Sequence, residues 1–260
     1  MMIWNVDPEL IRIGPVAIRY YSLAFLIAFF FGERWCSKFL LEKGFDKDQI
    51  SKLLNYSIVG TVIGARLGHC LFYEPGYYLT NPLEILYVWK GGLASHGGFA
   101  GVAIATWLFN KRVQKINLMW LLDLVAAPAL FGGGLIRLGN LMNSEILGRP
   151  TNSAFAFVFQ RVDNIPRHPA QLYESLGYFT VSLIGLYLYA KFRNTWQTGR
   201  FIGFILTFGF LHRFLVEFAK ENQVAFESSM FWNMGQVLSI PMIVIGLVLL
   251  LYKKPTPKNI

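Results

Sequence analysis

Four arginines of this chain, Arg19, Arg66, Arg137 and Arg213, lie within or at the edge of long apolar runs, where a charge is costly and usually functional. Arg137 opens the densest polar stretch, Arg137-Leu138-Gly139-Asn140-Leu141-Met142-Asn143-Ser144-Glu145-Ile146-Leu147-Gly148. A guanidinium offers a rigid fork for phosphate oxygens, the two asparagines can position hydroxyls or carbonyls, and Glu145 can orient the arginine or accept a proton. The competing reading is an elaborate helix cap with a buried salt bridge, since helix ends favour Asn and Gly. Arg213 and Glu217 are spaced i, i+4 and so share a helix face, as a functional pair or a purely structural one. Ser95-His96-Gly97-Gly98-Phe99, with Gly101, sets an imidazole beside glycines that admit another backbone or a lipid glycerol. His96 is then a general base or a hydrogen-bonded packing residue. Arg19 is either functional or a cation reaching for the lipid headgroups.

These residues sit in a chain of 260 residues that is 54% hydrophobic and only 15% charged. A soluble domain carries about 25% charged residues, so this composition excludes a water-soluble globule and calls for lipid around the apolar surface. Seven windows of spanning length follow: 19–40, 53–73, 93–110, 118–138, 171–190, 201–218 and 236–252. Each must be a helix, because an isolated segment in lipid has to satisfy its own backbone hydrogen bonds. The third and seventh are the cleanest, free of Asp, Glu, Lys and Arg. Orientation comes from the loop cations, which favour the cytoplasmic side. One set of alternate loops holds fourteen: Arg34, Lys38, Lys43, Lys47, Lys52, Lys111, Arg112, Lys115, Lys191, Arg193, Arg200, Lys253, Lys254 and Lys258. The other set, with the N-terminal segment, holds six: Arg12, Lys90, Arg149, Arg161, Arg167 and Lys220. The N-terminus is therefore expected outside and the C-terminus inside. That arrangement gathers Arg66, Arg137, Arg213, Arg19, Tyr21 and His96 at the outer ends of their windows, and leaves Asp123 near an inner end.

The connection 140–170 is too long for a simple turn and is read as a small external head. In it Phe155, Phe157 and Phe159 alternate with Ala154, Ala156 and Val158, the period of a short strand. The segment Arg167-His168-Pro169-Ala170-Gln171-Leu172-Tyr173-Glu174 reads as a proline-initiated helix start with a polar first turn, alternatively as anchorage of the head to the membrane surface. The net charge of +9 comes without a basic groove interleaved with aromatics, so no nucleic-acid partner is expected. Cys36 and Cys70 form no CxxC pair, so neither a disulfide framework nor a metal site is expected. Asp7 and Glu9 precede the first apolar run, unlike the cationic start of a cleaved signal. A multipass transporter or channel for an anionic solute is the alternative, with the same arginines as its binding ring. Its weaknesses are the lack of internal repeats and the scarcity of charge in the inner halves of most windows.

The chain resembles the bacterial prolipoprotein diacylglyceryl transferases from end to end. The resemblance rests on Arg137 through Asn140, Asn143 and Glu145 to Gly148, on His96-Gly97-Gly98, and on His168-Pro169-Ala170-Gln171-Leu172-Tyr173-Glu174. Met234-Gly235-Gln236-Val237-Leu238-Ser239-Ile240-Pro241, Ile13-Gly14-Pro15 and Tyr20-Tyr21 also fit. It implies a single transmembrane transferase domain over 1–260, all-α, with seven helices in the bacterial inner membrane and the active site toward the periplasm. The implied reaction moves a diacylglyceryl group from phosphatidylglycerol to the lipobox cysteine thiol of a preprolipoprotein, forming a thioether and releasing glycerol phosphate. Catalytic roles are implied for Tyr21, His96, Arg137 and Arg213, and lipid binding for Arg137, Asn140, Asn143, Glu145, Gly148, Gly97, Gly98, Arg66 and Glu217. No metal or other cofactor is implied. The family commonly has Gly where this chain has Ile136, and an aromatic hydroxyl where it has Gly209.

Overall fold

A computed structural model describes residues 1–14, 16–88, 92–222 and 225–252, with the backbone alone at Val16, Ser95, Ala225 and Phe226. Pro15 and the loop cations Lys90, Lys253, Lys254 and Lys258 lie outside the described residues. The chain is mostly helical, and each of the seven apolar windows falls on a helix: α1 (Tyr20–Glu42), α2 (Lys47–Phe72), α4 (Ser95–Arg112), α5 (Leu118–Met142), α6 (Ala170–Phe192), α7 (Arg200–Val216) and α8 (Met234–Leu251). A short α3 (Pro75–Thr80) lies between α2 and α4. Among the described residues three helical stretches are long and apolar enough to cross a membrane: Leu118–Met142, Arg200–Ala219 and Met234–Leu251. The charge-free third window is not among them. Its helix, α4, starts on the polar Ser95 and His96 and ends on Lys111 and Arg112, so a full spanning length takes in both polar ends.

The chain divides into two compact units, Phe29–Val125 and Met1–Ala28 with Ala126–Ile260. In the first, α2 begins with a reciprocal cap. Asp46 Oδ1 accepts from the Gln49 backbone N–H at 2.8 Å, and Gln49 Oε1 accepts from the Asp46 N–H at 3.1 Å. Farther along, Gly60, Gly64 and Gly68 repeat every four residues on one face of α2 and meet Gly97 and Gly101 of α4. A methyl on Gly60 would stand 2.6 Å from the Gly101 carbonyl oxygen, and one on Gly68 2.8 Å from the Gly97 Cα. The two backbones are in contact, the packing that small residues spaced by four permit.

In the second unit the hydroxyls of α6 reach across to α5: Ser175 Oγ donates to Gly134 O at 3.0 Å and Ser182 Oγ to Ala127 O at 2.7 Å. Glycines join α7 to α8, where a methyl on Gly203 would meet Leu250 N at 2.7 Å. The head is a three-stranded sheet in the order β1-β4-β5, built from β1 (Met2–Trp4), β4 (Phe157–Phe159) and β5 (Pro166–Arg167). The expected strand is present but shorter than the aromatic alternation suggests: Phe155 is 80% exposed, while Phe157, Val158 and Phe159 are all buried. Both faces of β4 are covered, so alternation cannot describe it. Phe157 and Phe159 pack with Leu141, Trp4, Leu147 and Leu172, and Trp4 Nε1 donates to Leu141 O at 3.0 Å. A hairpin of β2 (Glu9–Ile13) and β3 (Val16–Arg19) leads into α1.

Arg167 ties the head together. Its Nη2 lies 2.7 Å from Asp163 Oδ2, its Nη1 lies 2.8 Å from Glu221 Oε2, and Nη1 also donates to Gly148 O at 3.3 Å. The hydrogen bond from Arg167 holds the Asp163 carboxyl below its ordinary value. A group depressed in the folded state contributes stability above its unfolded value, about 3.9, and loses it as pH falls through the folded one. The apparent melting temperature in detergent is therefore expected to be insensitive to this pair from pH 7 to 5 and to fall in acid below about pH 4. Asp163→Asn should begin lower at neutral pH and lack that part of the acid limb. An unchanged acid limb in the variant would remove this pair as its source.

Candidate functional site

The second unit carries a buried cluster of charge where α5, α6 and α7 end or begin. Glu174, in the first turns of α6, is its hub. Its Oε2 lies 3.1 Å from Arg137 Nε on α5, and its Oε1 lies 2.7 Å from Arg213 Nη1 on α7. Tyr178, one turn on, donates its hydroxyl to Glu174 Oε1 at 3.5 Å. Arg213 Nη2 also pairs with Glu217 Oε1 at 3.1 Å, the i, i+4 contact expected from the spacing. Lys220 Nζ then closes the cluster, 2.6 Å from Glu217 Oε1 and 3.7 Å from Glu174 Oε2. Asn233, the N-cap of α8, donates Nδ2 to Glu217 Oε2 at 3.1 Å. Gly235 must lack a side chain, because a methyl there would overlap the Glu217 carboxylate.

Three cations and two carboxylates thus share one buried volume, each charge offset by a neighbour as burial requires. Among the described residues the cluster holds one more cation than carboxylate. Such a centre favours an anion, and its two guanidinia supply planar donor forks suited to phosphate.

The loop after α5 is anchored to this centre. Arg137 Nη1 donates to Asn140 Oδ1 at 3.1 Å, Asn140 Nδ2 donates to Glu145 Oε2 at 3.1 Å, and Asn143 Nδ2 donates to Glu145 Oε1 at 3.1 Å. Glu145 is itself exposed. The buried salt bridge that the cap reading contains is made by Arg137 with Glu174, while Glu145 fixes the two asparagine amides. Ser144 and Ile146 on either side of it have φ of +53° and +56°, a region strained for any side chain and most of all for a β-branched one. Gly148 next to them packs on the backbone: a methyl would meet the His168 carbonyl and lie 2.9 Å from Ala219 O. Tyr21 covers Gly139, whose added methyl would stand 2.6 Å from its ring.

The structure therefore brings together Tyr21, Arg137, Asn140, Asn143, Glu145, Gly148, Arg213 and Glu217 within one unit. Arg66, His96, Gly97 and Gly98 belong to the other. There Arg66 is buried and donates to three loop carbonyls, Ile85 O at 3.0 Å, Glu84 O at 2.6 Å and Gly92 O at 3.3 Å, with its guanidinium 5.0 Å above the Tyr78 ring. Gly92 has φ of +68°, and a methyl on it would strike Arg66 and His69. Arg66 thus ties the short 3-10 helix Pro82–Leu86 and Gly92 to α2. His96 is buried in the first turn of α4. Gly97 is occupied by α2, while an added methyl on Gly98 would meet only ordinary contacts at 3.8 Å. Arg19 lies exposed at the end of β3, opposite Glu9.

Sequence reasoning missed the hub. Glu174 was visible only as the last residue of a helix start, and no spacing along the chain links it to Arg137 or Arg213. Lys220 was counted with the loop cations, although it stands i+3 from Glu217 and is fully buried. That spacing was the available signal.

Fold and site define a helix-rich protein with apolar helices of spanning length and a buried cationic centre held by two carboxylates, Glu174 and Glu217. The chain belongs to the prolipoprotein diacylglyceryl transferase family, whose model matches residues 8–252. Proteins named phosphatidylglycerol--prolipoprotein diacylglyceryl transferase are similar along nearly the whole length. The one from Tolumonas auensis is 44% identical over 96% of this chain and 97% of its own, and the one from Chloroherpeton thalassium 46% over 95% and 92%. That from Porphyromonas gingivalis is 40% identical over 98% of this chain and 95% of its own.

Proposed function

We propose that this chain transfers the diacylglyceryl group of phosphatidylglycerol to the lipobox cysteine of a prolipoprotein. The observation that carries the reading is the pair of guanidinia, Arg137 and Arg213, held 3.1 and 2.7 Å from opposite oxygens of Glu174. In the reaction a thiolate sulfur attacks the glycerol carbon, the bond from that carbon to the phosphate oxygen breaks, and glycerol phosphate leaves with the electron pair. Arg137 and Arg213 bind the phosphate and stabilise the charge it gains, which preorganised donors do best in a site sheltered from water. Asn140, Asn143, Glu145 and Gly148 shape the lipid site beside them, Glu217 aligns Arg213, and Tyr21 covers the end of α5. Arg66 contributes by fixing its loop, and Gly97 and Gly98 by setting the start of α4.

A free thiol with a pKa of about 8.5 is mostly protonated at neutral pH, so a base speeds the attack. His96 is the candidate. His96→Gln is expected to lower transfer by about 10²-fold at neutral pH, with the loss shrinking as pH rises through the thiol's own titration. A rate unaffected by the substitution would move the base elsewhere.

The protein is further read as a single transmembrane domain, 1–260, of seven helices in the bacterial inner membrane, N-terminus outside and C-terminus inside, with the 140–170 head and the site on the periplasmic side. Support comes from the loop-cation asymmetry and from the apolar residues left exposed along the helices, among them Leu26, Phe30, Ile63, Ile104, Leu183 and Val244. Purified protein incubated with phosphatidylglycerol and a lipobox peptide should yield a peptide whose cysteine has gained a diacylglyceryl group, read by mass spectrometry. A folded protein giving no adduct, beside an active relative, would overturn the reading.

A further inference from the structure

Around Glu145, three buried polar atoms have no hydrogen-bond partner among the described residues: Asn143 Oδ1, Ser144 Oγ and Gln171 Oε1. Gln171 is fully buried and Ser144 nearly so. The orientation of the two amides is fixed by what they already bind. Gln171 Nε2 donates to the Glu145 carbonyl at 2.5 Å, and Asn143 Nδ2 donates to the Glu145 carboxylate at 3.1 Å. Both partners are acceptors only, so neither amide can turn over, and each is left presenting an oxygen. Buried acceptors without partners are costly, and they collect where the backbone is strained at Ser144 and Ile146. Strain and unsatisfied groups that gather at one place point to a ligand that would satisfy them.

We propose that Ser144, Gln171 and Asn143 form a recognition site for the headgroup hydroxyls of the lipid donor, an inference that rests on the transferase reading above. Two fixed acceptors and a hydroxyl take O–H donors and repel a bare phosphate, which offers acceptors only. The same loop is hydrogen-bonded through Glu145 and Asn140 to Arg137. A ligand with a phosphate for the guanidinium and hydroxyl donors beside it is a polyol phosphate, the chemistry of a glycerol headgroup. Backbone N–H groups of the peptide substrate are the other donors available, and the test separates the two.

Full-length protein is assayed with the lipobox peptide and either phosphatidylglycerol or phosphatidylethanol, which keeps the phosphate and lacks both headgroup hydroxyls. The wild type should prefer phosphatidylglycerol by tenfold or more in kcat/KM, about the effect of one or two hydrogen bonds. Ser144→Ala and Ser144→Gly should each lower kcat/KM for phosphatidylglycerol by about five- to tenfold, leave phosphatidylethanol nearly unchanged and leave the KM for peptide unchanged. Alanine keeps the left-handed backbone strained and glycine relieves it, so equal losses assign the effect to the hydroxyl. Equal use of both lipids by the wild type overturns the proposal. So does an equal proportional loss on both lipids, and a loss appearing in the KM for peptide assigns the site to the peptide instead. Absence of any wild-type transfer from phosphatidylglycerol overturns the transferase reading and the headgroup site with it.

Discussion

Glu174→Ala is expected to cost about 3–5 kcal/mol of stability, the usual penalty for stranding a buried charge. Here the penalty falls at one point on three cations. Arg137, Arg213 and Lys220 all face this carboxylate, at 3.1, 2.7 and 3.7 Å, and among the described residues of the cluster Glu217 would remain to offset them. Glu174→Gln keeps the shape and some hydrogen bonding but loses the charge, so it should destabilise nearly as much. The check is a thermal melt in detergent, paired with the double variant Glu174→Ala with Lys220→Met. Removing one cation together with the anion should restore part of the loss. Single and double variants melting together, or a Glu174→Ala protein as stable as the parent, would show that the carboxylate does not hold the cluster.

Arg137→Ala should behave in the opposite way. Glu174 keeps Arg213 and Lys220, the buried charges stay balanced, and the melting temperature should move little. Transfer to a lipobox peptide should fall by roughly 10²–10³-fold, as when a preorganised donor to a developing oxyanion is deleted. Arg137→Lys retains the charge and should recover only part of the activity, because an ammonium cannot both hold Glu174 and Asn140 and offer a planar fork to phosphate. Wild-type rates in either variant would remove Arg137 from the chemistry. Together the two substitutions separate what holds the cluster from what uses it.

The helices were legible because apolar length alone marks them, and all seven windows fall on helices. The Arg213–Glu217 contact was legible because i, i+4 spacing places two side chains on one helical face. The Arg137–Asn140 hydrogen bond, at i, i+3, is seen only in the structure. The Glu174 hub joins three separate helices, and only packing brings such residues together. The left-handed residues beside Glu145 were also hidden, since neither serine nor isoleucine favours that conformation. At Gly209 an added methyl would lie 3.2 Å from the Leu130 side chain on α5, so a larger side chain there would require that leucine to shift.

The N-terminal strand of the head has a consequence in time. Met2, Ile3 and Trp4 pair in parallel with Phe157, Val158 and Phe159, so β1 waits for a partner made some 150 residues later. At about 5–20 residues per second of synthesis, that wait is roughly 10–30 s. Throughout it the first residues present unpaired backbone groups beside an apolar tryptophan. Parallel pairing offers no local hairpin to shorten the delay. The head therefore closes late, after α5 has been made, and the loop bearing Glu145 acquires its final shape only when the two distant ends of this segment meet.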